Sequence, residues 1–175
     1  MNQLLSNDTI ALRALEPTDL DILYKWENDT ALWVVSDTIA PYSRAALWQY
    51  LEANTGDIYS QRPLRLIITL TSDGTPIGTI DFLNFDPFNN HAELGLFIAD
   101  EYRGKGLGRQ WLEQLTAYAR DHIGLRQLYV YIAVNNKVCL NLFESFGYRH
   151  VGVLQQWVKR GASYCDVAIM QMILS

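Results

Sequence analysis

The stretch Tyr102-Arg103-Gly104-Lys105-Gly106-Leu107-Gly108 decides how this chain is read. Glycine at every second position lets the backbone turn tightly and present successive N–H groups with no Cβ in the way. Directly after it, Trp111, Leu112, Leu115, Tyr118, Ala119 and Ile123 recur at helical spacing, and Gly124 stops the pattern. A long amphipathic helix over 108–123 therefore starts at the loop. The helix N-terminus adds partial positive charge to the loop amides, and together they form a cradle suited to a pyrophosphate. The order is not that of a Walker loop, because Gly106 rather than Ser or Thr follows Lys105. Nor is it a dinucleotide fingerprint, which would need glycine where Arg109 stands.

Upstream of the loop, His91 to Ile98 reads as a strand, preceded by the turn Asp86-Pro87-Phe88-Asn89-Asn90. Before that, Leu64 to Thr71 and Pro76 to Phe85 flank the turn Ser72-Asp73-Gly74-Thr75, which predicts three consecutive antiparallel strands. Nearer the N-terminus, Ile10 to Ala14 alternates as a short strand. A helix begins near Pro17, with Leu20, Leu23, Tyr24 and Trp26 at helical spacing. An aromatic loop from Trp33 to Tyr42 leads to Ser43, an N-cap for a helix carrying Leu47, Tyr50 and Leu51 that Gly56 would end. Downstream, Gln127 to Val134 is a strand. Asn136 caps a short helix over 138–146 that Gly147 ends, and Val151 to Trp157 and Ser163 to Leu174 are two further strands. The order β-α-α-β-β-β-α-β-α-β-β, without repeats or linkers, predicts an α+β fold in which helices cover one sheet.

A length of 175 residues suits a single domain spanning 1–175, and 49% hydrophobic with 12% aromatic residues is too apolar for a disordered chain. The net charge of −5 argues against a protein that neutralises nucleic-acid phosphates. Cys139 and Cys165 make no disulfide framework, and no Cys/His spacing suits a metal, so no metal site is expected. Without a secretory pattern near Met1 or a run of about 18 apolar residues, the chain is expected to be cytoplasmic and not membrane-bound. Residues 1–60 carry nine acidic and three basic side chains, against ten and eleven in 61–175, so the negative charge sits in the N-terminal third. Such a lobe suits a cationic ligand, as well as a merely solvated surface.

The run Ala92-Glu93-Leu94-Gly95-Leu96-Phe97-Ile98, the glycine loop, Asn135, and the helix end Leu142-Phe143-Glu144-Ser145-Phe146-Gly147-Tyr148 together resemble the GCN5-related N-acetyltransferase superfamily. The loop matches that family's acyl-CoA pyrophosphate motif at Arg103, Gly106 and Gly108, and the likeness runs along nearly the whole chain. Within the family the chain looks nearest to polyamine and ribosomal-protein N-terminal acetyltransferases, through Arg13-Ala14-Leu15-Glu16-Pro17-Thr18-Asp19-Leu20 and the Ala92-Glu93 strand start. The resemblance implies a mixed, mostly antiparallel sheet of six to seven strands flanked by about four helices. It also implies direct transfer of an acetyl group from acetyl-CoA to a primary amine. Gly104 to Arg109, with Lys105 and Leu107 among them, would then hold the pyrophosphate, and Arg103, Lys105 or Arg109 would reach a phosphate. Phe97, Ile98 and Asn135 would line the pantetheine arm, beside Cys139 and Phe143 on the last helix.

An alkylammonium has a pKa near 10, so at neutral pH roughly one molecule in a thousand is the nucleophilic free amine. A group must take the proton. In the family a carboxylate at the position of Glu93 commonly does so through water, and Asp81, on the preceding strand, would stand opposite it as a second carboxylate that also binds the incoming cation. His91 is a weaker candidate. Trp33, Asp37 and Tyr42 in the aromatic loop could bind the alkylammonium by cation–π and charge contacts. The family's tyrosine that protonates the departing thiolate falls on Phe143, which has no proton to give. That departure leaves open unaided release, another donor, or a catalytically weak acyl-CoA-binding regulatory module. The sequence also leaves open the acceptor (polyamine, protein N-terminus, aminoglycoside or amino sugar), the acyl length, and whether the chain forms a homo-oligomer.

Overall fold

The computed structural model of the protein describes residues 4–36, 38–54, 56–60 and 63–174. Seven strands form one sheet: β1 (Ile10–Ala14), β2 (Leu64–Leu70), β3 (Pro76–Asp86), β4 (His91–Ile98), β5 (Gln127–Ala133), β6 (Arg149–Arg160) and β7 (Ser163–Ile173). Their spatial order is β1-β2-β3-β4-β5-β7-β6. Every neighbouring pair is antiparallel except β4 and β5. Among the described residues five α-helices accompany the sheet: α1 (Leu20–Glu27), α2 (Trp33–Ser36), α3 (Arg44–Ala53), α4 (Leu107–Tyr118) and α5 (Lys137–Phe146). The short α2 lies in the aromatic stretch that reads as loop from sequence. The helix after Ser43 ends at Ala53, before Gly56.

Local chemistry accounts for the helix boundaries. The Ala46 N–H donates to Ser43 Oγ at the start of α3, and the Cys139 N–H donates to Asn136 Oδ1 at the start of α5. The Gly147 N–H bonds back to the last turn of α5. Helix α4 continues through a π-turn at Ala119–Ile123 before Gly124 ends it.

Alternation along the strands divides the sheet into two faces. On one, Leu66, Ile68, Ile80, Phe82, Ala92 and Leu94 pack with Trp111, Leu112 and Leu115 of α4 and Leu140 and Phe143 of α5 in the main core. On the other, Ile67 and Phe97 meet Leu23 and Trp26 of α1 and Leu51 of α3 in a smaller cluster. Burying these side chains supplies most of the drive to fold, at roughly 25 cal/mol per Å² of apolar surface. Two consequences position the site. Strands β4 and β5 share only three rungs, His91 with Gln127, Ala92 with Leu128 and Glu93 with Tyr129, and then diverge. The loop from β4 to α4 lies beyond the end of the strand at that opening.

Candidate active site

Gly104 and Gly106 take the left-handed conformation at φ 71° and 75°, and a Cβ on either would meet nothing within 4 Å. The space before the loop is open. Gly108 serves a different purpose, because a Cβ there would come within 2.8 Å of Leu142 Cδ2 and push α4 from α5. No side chain caps the N-terminus of α4, so the amides of its first turn stay available to a ligand. Arg103 donates from Nε to the Ile98 carbonyl at 2.8 Å and pairs with Asp100. Lys105 lies over the Tyr102 ring at 5.1 Å, and Arg109 pairs with Glu113 at 3.2 Å. Three cations thus ring an uncapped helix end with clear space before it, a donor set that fits the pyrophosphate of an acyl-CoA.

Glu93 occupies the last shared rung of β4 and β5, half-buried on the face that also carries Gly95 and Phe97. The Asn84 amide donates to its Oε2 at 2.7 Å. Phe97 tilts against Trp26 with ring centroids 5.1 Å apart, and Ile98 turns into the main core on the opposite face. His91 Nε2 stands 3.7 Å from Asp86 Oδ2, two residues before Glu93.

Asp81 departs from the sequence expectation. It pairs across the sheet with Gly95, whereas the residue opposite Glu93 is Leu83, so the two carboxylates are diagonal rather than facing. A Cβ on Gly95 would sit 3.2 Å from both Asp81 Cβ and Leu83 Cδ1, so a side chain there would need these neighbours to give by a few tenths of an ångström. Both Asp81 oxygens are taken by Arg65, from Nε at 2.6 Å and from Nη2 at 3.0 Å. The guanidinium reaches Glu27 through Nη1 and lies 5.7 Å from the Tyr50 ring centroid. Burial would discharge Arg65, but Asp81, Tyr50 and Glu27 outweigh it and raise its pKa. A bidentate arginine leaves Asp81 poorly suited to accept a proton or bind a separate cation. Sequence reasoning missed Arg65 and Glu27. The available signal was a lone charge in the apolar run Leu64-Arg65-Leu66-Ile67-Ile68, which must find a buried partner. Arg65→Met should cost about 3–5 kcal/mol by stranding two partly buried carboxylates, and adding Asp81→Leu should recover part of it. Urea unfolding measures both variants. A cost under about 1 kcal/mol for the single change would mean that solvent already screens the cluster.

The remaining candidates are dispersed. Trp33 opens α2, with its indole N–H donating to the Glu27 carbonyl at 2.9 Å. Tyr42 is stapled through its backbone to Asn28, at 2.8 and 3.0 Å, which draws the aromatic stretch back to the end of α1. Asp37 lies outside the described residues. Asn135 is exposed in the turn before α5. Cys139 is half-buried, and burial pushes its thiol up to about 11, which keeps it protonated and unreactive. Phe143 is in the core, edge-on to Tyr148 at 4.9 Å and tilted against Trp111 at 6.0 Å.

An anion cradle at a helix start, beside two strands that part and a carboxylate where they part, defines an acyl-CoA-dependent acyltransferase. The chain belongs to the GNAT acetyltransferase domain family, whose model matches residues 9–149, and it is an acetyl-CoA-dependent N-acetyltransferase. It is 30% identical over 146 residues to the putative ribosomal N-acetyltransferase YdaF of Bacillus subtilis, covering 75% of this chain and 73% of that protein. It is 24% identical over 141 residues to a spermidine N(1)-acetyltransferase of Vibrio cholerae, covering 79% and 78%. The crystal structure of spermidine N-acetyltransferase from Vibrio cholerae in complex with CoA and spermine superposes with a TM-score of 0.85 at 24% identity, over 96% of this chain and 97% of that one. The mixed, mostly antiparallel sheet of six to seven strands that the resemblance implies is therefore observed, with seven strands. No group of side chains among the described residues could hold a metal ion, and no helix there is long and apolar enough to cross a membrane.

Proposed function

We propose that the acceptor is a small amine carrying two or more positive charges, a polyamine, acetylated in the cytoplasm by a single domain with Glu93 as the general base. The observation that carries this reading is the sheet face that bears Glu93, over which lie helices α1 and α3, drawn from the acidic N-terminal third. The spermidine-acetylating relative supports it further. A protein N-terminal α-amine is the second reading, favoured by the likeness to a putative ribosomal acetyltransferase.

Acetyl-CoA supplies an activated acetyl group on a thiol leaving group. The amides of Leu107 to Arg109, with Arg103 and Lys105, bind its pyrophosphate, and the edge of β4 from Gly95 to Ile98, with Asn135, guides the arm into the opening. Cys139 offers apolar surface on the far side, and Phe143 supports that side from the core. Trp33 and Tyr42 close the acceptor side with aromatic faces suited to alkylammonium. Glu93 receives the proton that the amine must lose, directly or through one water.

Thiol release with a panel of polyamines, monoamines, N-terminal peptides and aminoglycosides tests the acceptor. A longer polyamine should turn over better than a monoamine of equal apolar length. Added salt should raise KM for it and spare kcat, because attraction between exposed charges is screened beyond about 8 Å at physiological ionic strength. Preference for a singly charged amine, with KM indifferent to salt, would remove the polyamine assignment and leave the acetyltransferase in place.

A further inference from the structure

The step that Phe143 cannot perform, protonation of the departing thiolate, needs another donor, and the rung that ends the β4 and β5 pairing carries one. Tyr129 sits opposite Glu93 there, and parallel neighbours on a rung project from the same face. Asn84 connects the two. It lies where the β3 and β4 register shifts, between Leu83 and Asp86, and takes a left-handed backbone at φ 46°. From there its amide donates to Glu93 Oε2 at 2.7 Å, and the same side chain acts to lower the Tyr129 pKa.

Tyr129 also borders a shallow concavity with His91, Gln127, Val151, Ile169 and Gln171 that is open to solvent. The titratable groups around it are few. Glu93 and His91 face it from β4, with the His91 ring at 5.8 Å and Asp86 behind that ring, and Tyr131 follows on β5 at 5.7 Å. Strands β6 and β7 present Val151, Ile169 and Gln171 at the concavity, and the charged Arg149 lies opposite Gln171 on the same rung. Burial first, then Glu93 and Tyr131, raise the Tyr129 pKa against the lowering hydrogen bond from Asn84, so the phenol is protonated at neutral pH.

We infer that Tyr129, placed beside Glu93 by the last rung that β4 and β5 share, is the proton donor to the CoA thiolate, an inference that rests on Glu93 being the base. The protons balance without any further reactant. As the amine nitrogen bonds to the acyl carbon and the C–S bond breaks, Glu93 takes the amine proton and the phenol gives its own to sulfur. Glu93 then passes its proton to the phenolate. Amide and free thiol leave, and both side chains are restored. Asn84 is a positioning residue in this scheme.

Tyr129→Phe deletes one hydroxyl and should lower kcat roughly 10²-fold, the low end for a general acid, since a thiol of pKa about 8.5 is already a fair leaving group. Calorimetric affinity for acetyl-CoA should be unchanged. Asn84→Gly keeps the left-handed backbone accessible and removes the amide. In ligand-free protein with ring-labelled tyrosine, the NMR resonance missing from Tyr129→Phe should titrate at higher pH in Asn84→Gly and at lower pH in Glu93→Gln than in wild type. Wild-type kcat in Tyr129→Phe beside a disabled Glu93→Gln overturns the donor alone, and so does a Tyr129 titration that neither variant moves. Wild-type kcat in Glu93→Gln overturns the base reading and the relay with it.

Discussion

Glu93→Gln is expected to lower kcat by roughly 10²–10⁴ while leaving acetyl-CoA affinity intact. Glutamine keeps the shape and still bonds to Asn84, so the loss isolates the proton acceptor from the geometry of the rung. The pH profile provides the diagnostic. A variant that has lost its base depends on acceptor already deprotonated in solution, so its rate should climb about tenfold per pH unit towards the amine pKa near 10. Steady-state kinetics from acid to alkaline pH measure this. Turnover close to wild type at neutral pH would transfer the role to His91 or to solvent.

Gly106→Val should weaken acetyl-CoA binding at least roughly 10²-fold, because two charge-assisted hydrogen bonds of about 1.5 kcal/mol each are lost when a branched side chain fills the cradle. The substitution also strains the backbone, since φ is 75° at this position. Gly124→Val separates the two effects. Gly124 is equally left-handed at φ 79°, but it lies at the far end of the helical segment and away from the ligand. Calorimetry should find Gly124→Val binding acetyl-CoA like wild type despite a lower Tm. Equal loss in both variants would reduce the effect to strain, and undiminished affinity in folded Gly106→Val would remove the cradle from the site.

What could be read from sequence was what neighbouring residues determine. The glycine loop, the Ser43 and Asn136 caps, the Gly147 stop and the alternation in β2 to β4 each depend on a few adjacent positions, and they fall where expected. Cross-strand partners are set over long distances by register, where a two-residue offset changes every facing pair. The offset that puts Gly95 rather than Glu93 opposite Asp81 has no local signature, and neither does the reach of Arg65 across to Glu27. Asn84 lies in a run that reads as ordinary strand, and its left-handed turn emerges only once β3 and β4 are paired. The insertion of β7 between β5 and β6 likewise belongs to the assembled sheet.

The three-rung contact between β4 and β5 has a mechanical consequence. It makes the sheet two blades, β1 to β4 and β5 to β7, joined along a seam that closes at one end only. Past Glu93 the facing backbone edges lack each other as partners, and the amide-bearing arm of a coenzyme A is of a length and chemistry to lie between them as an eighth, non-peptide strand. A cosubstrate held there would act as a keystone that fixes the angle between the blades, and its release would let that angle relax.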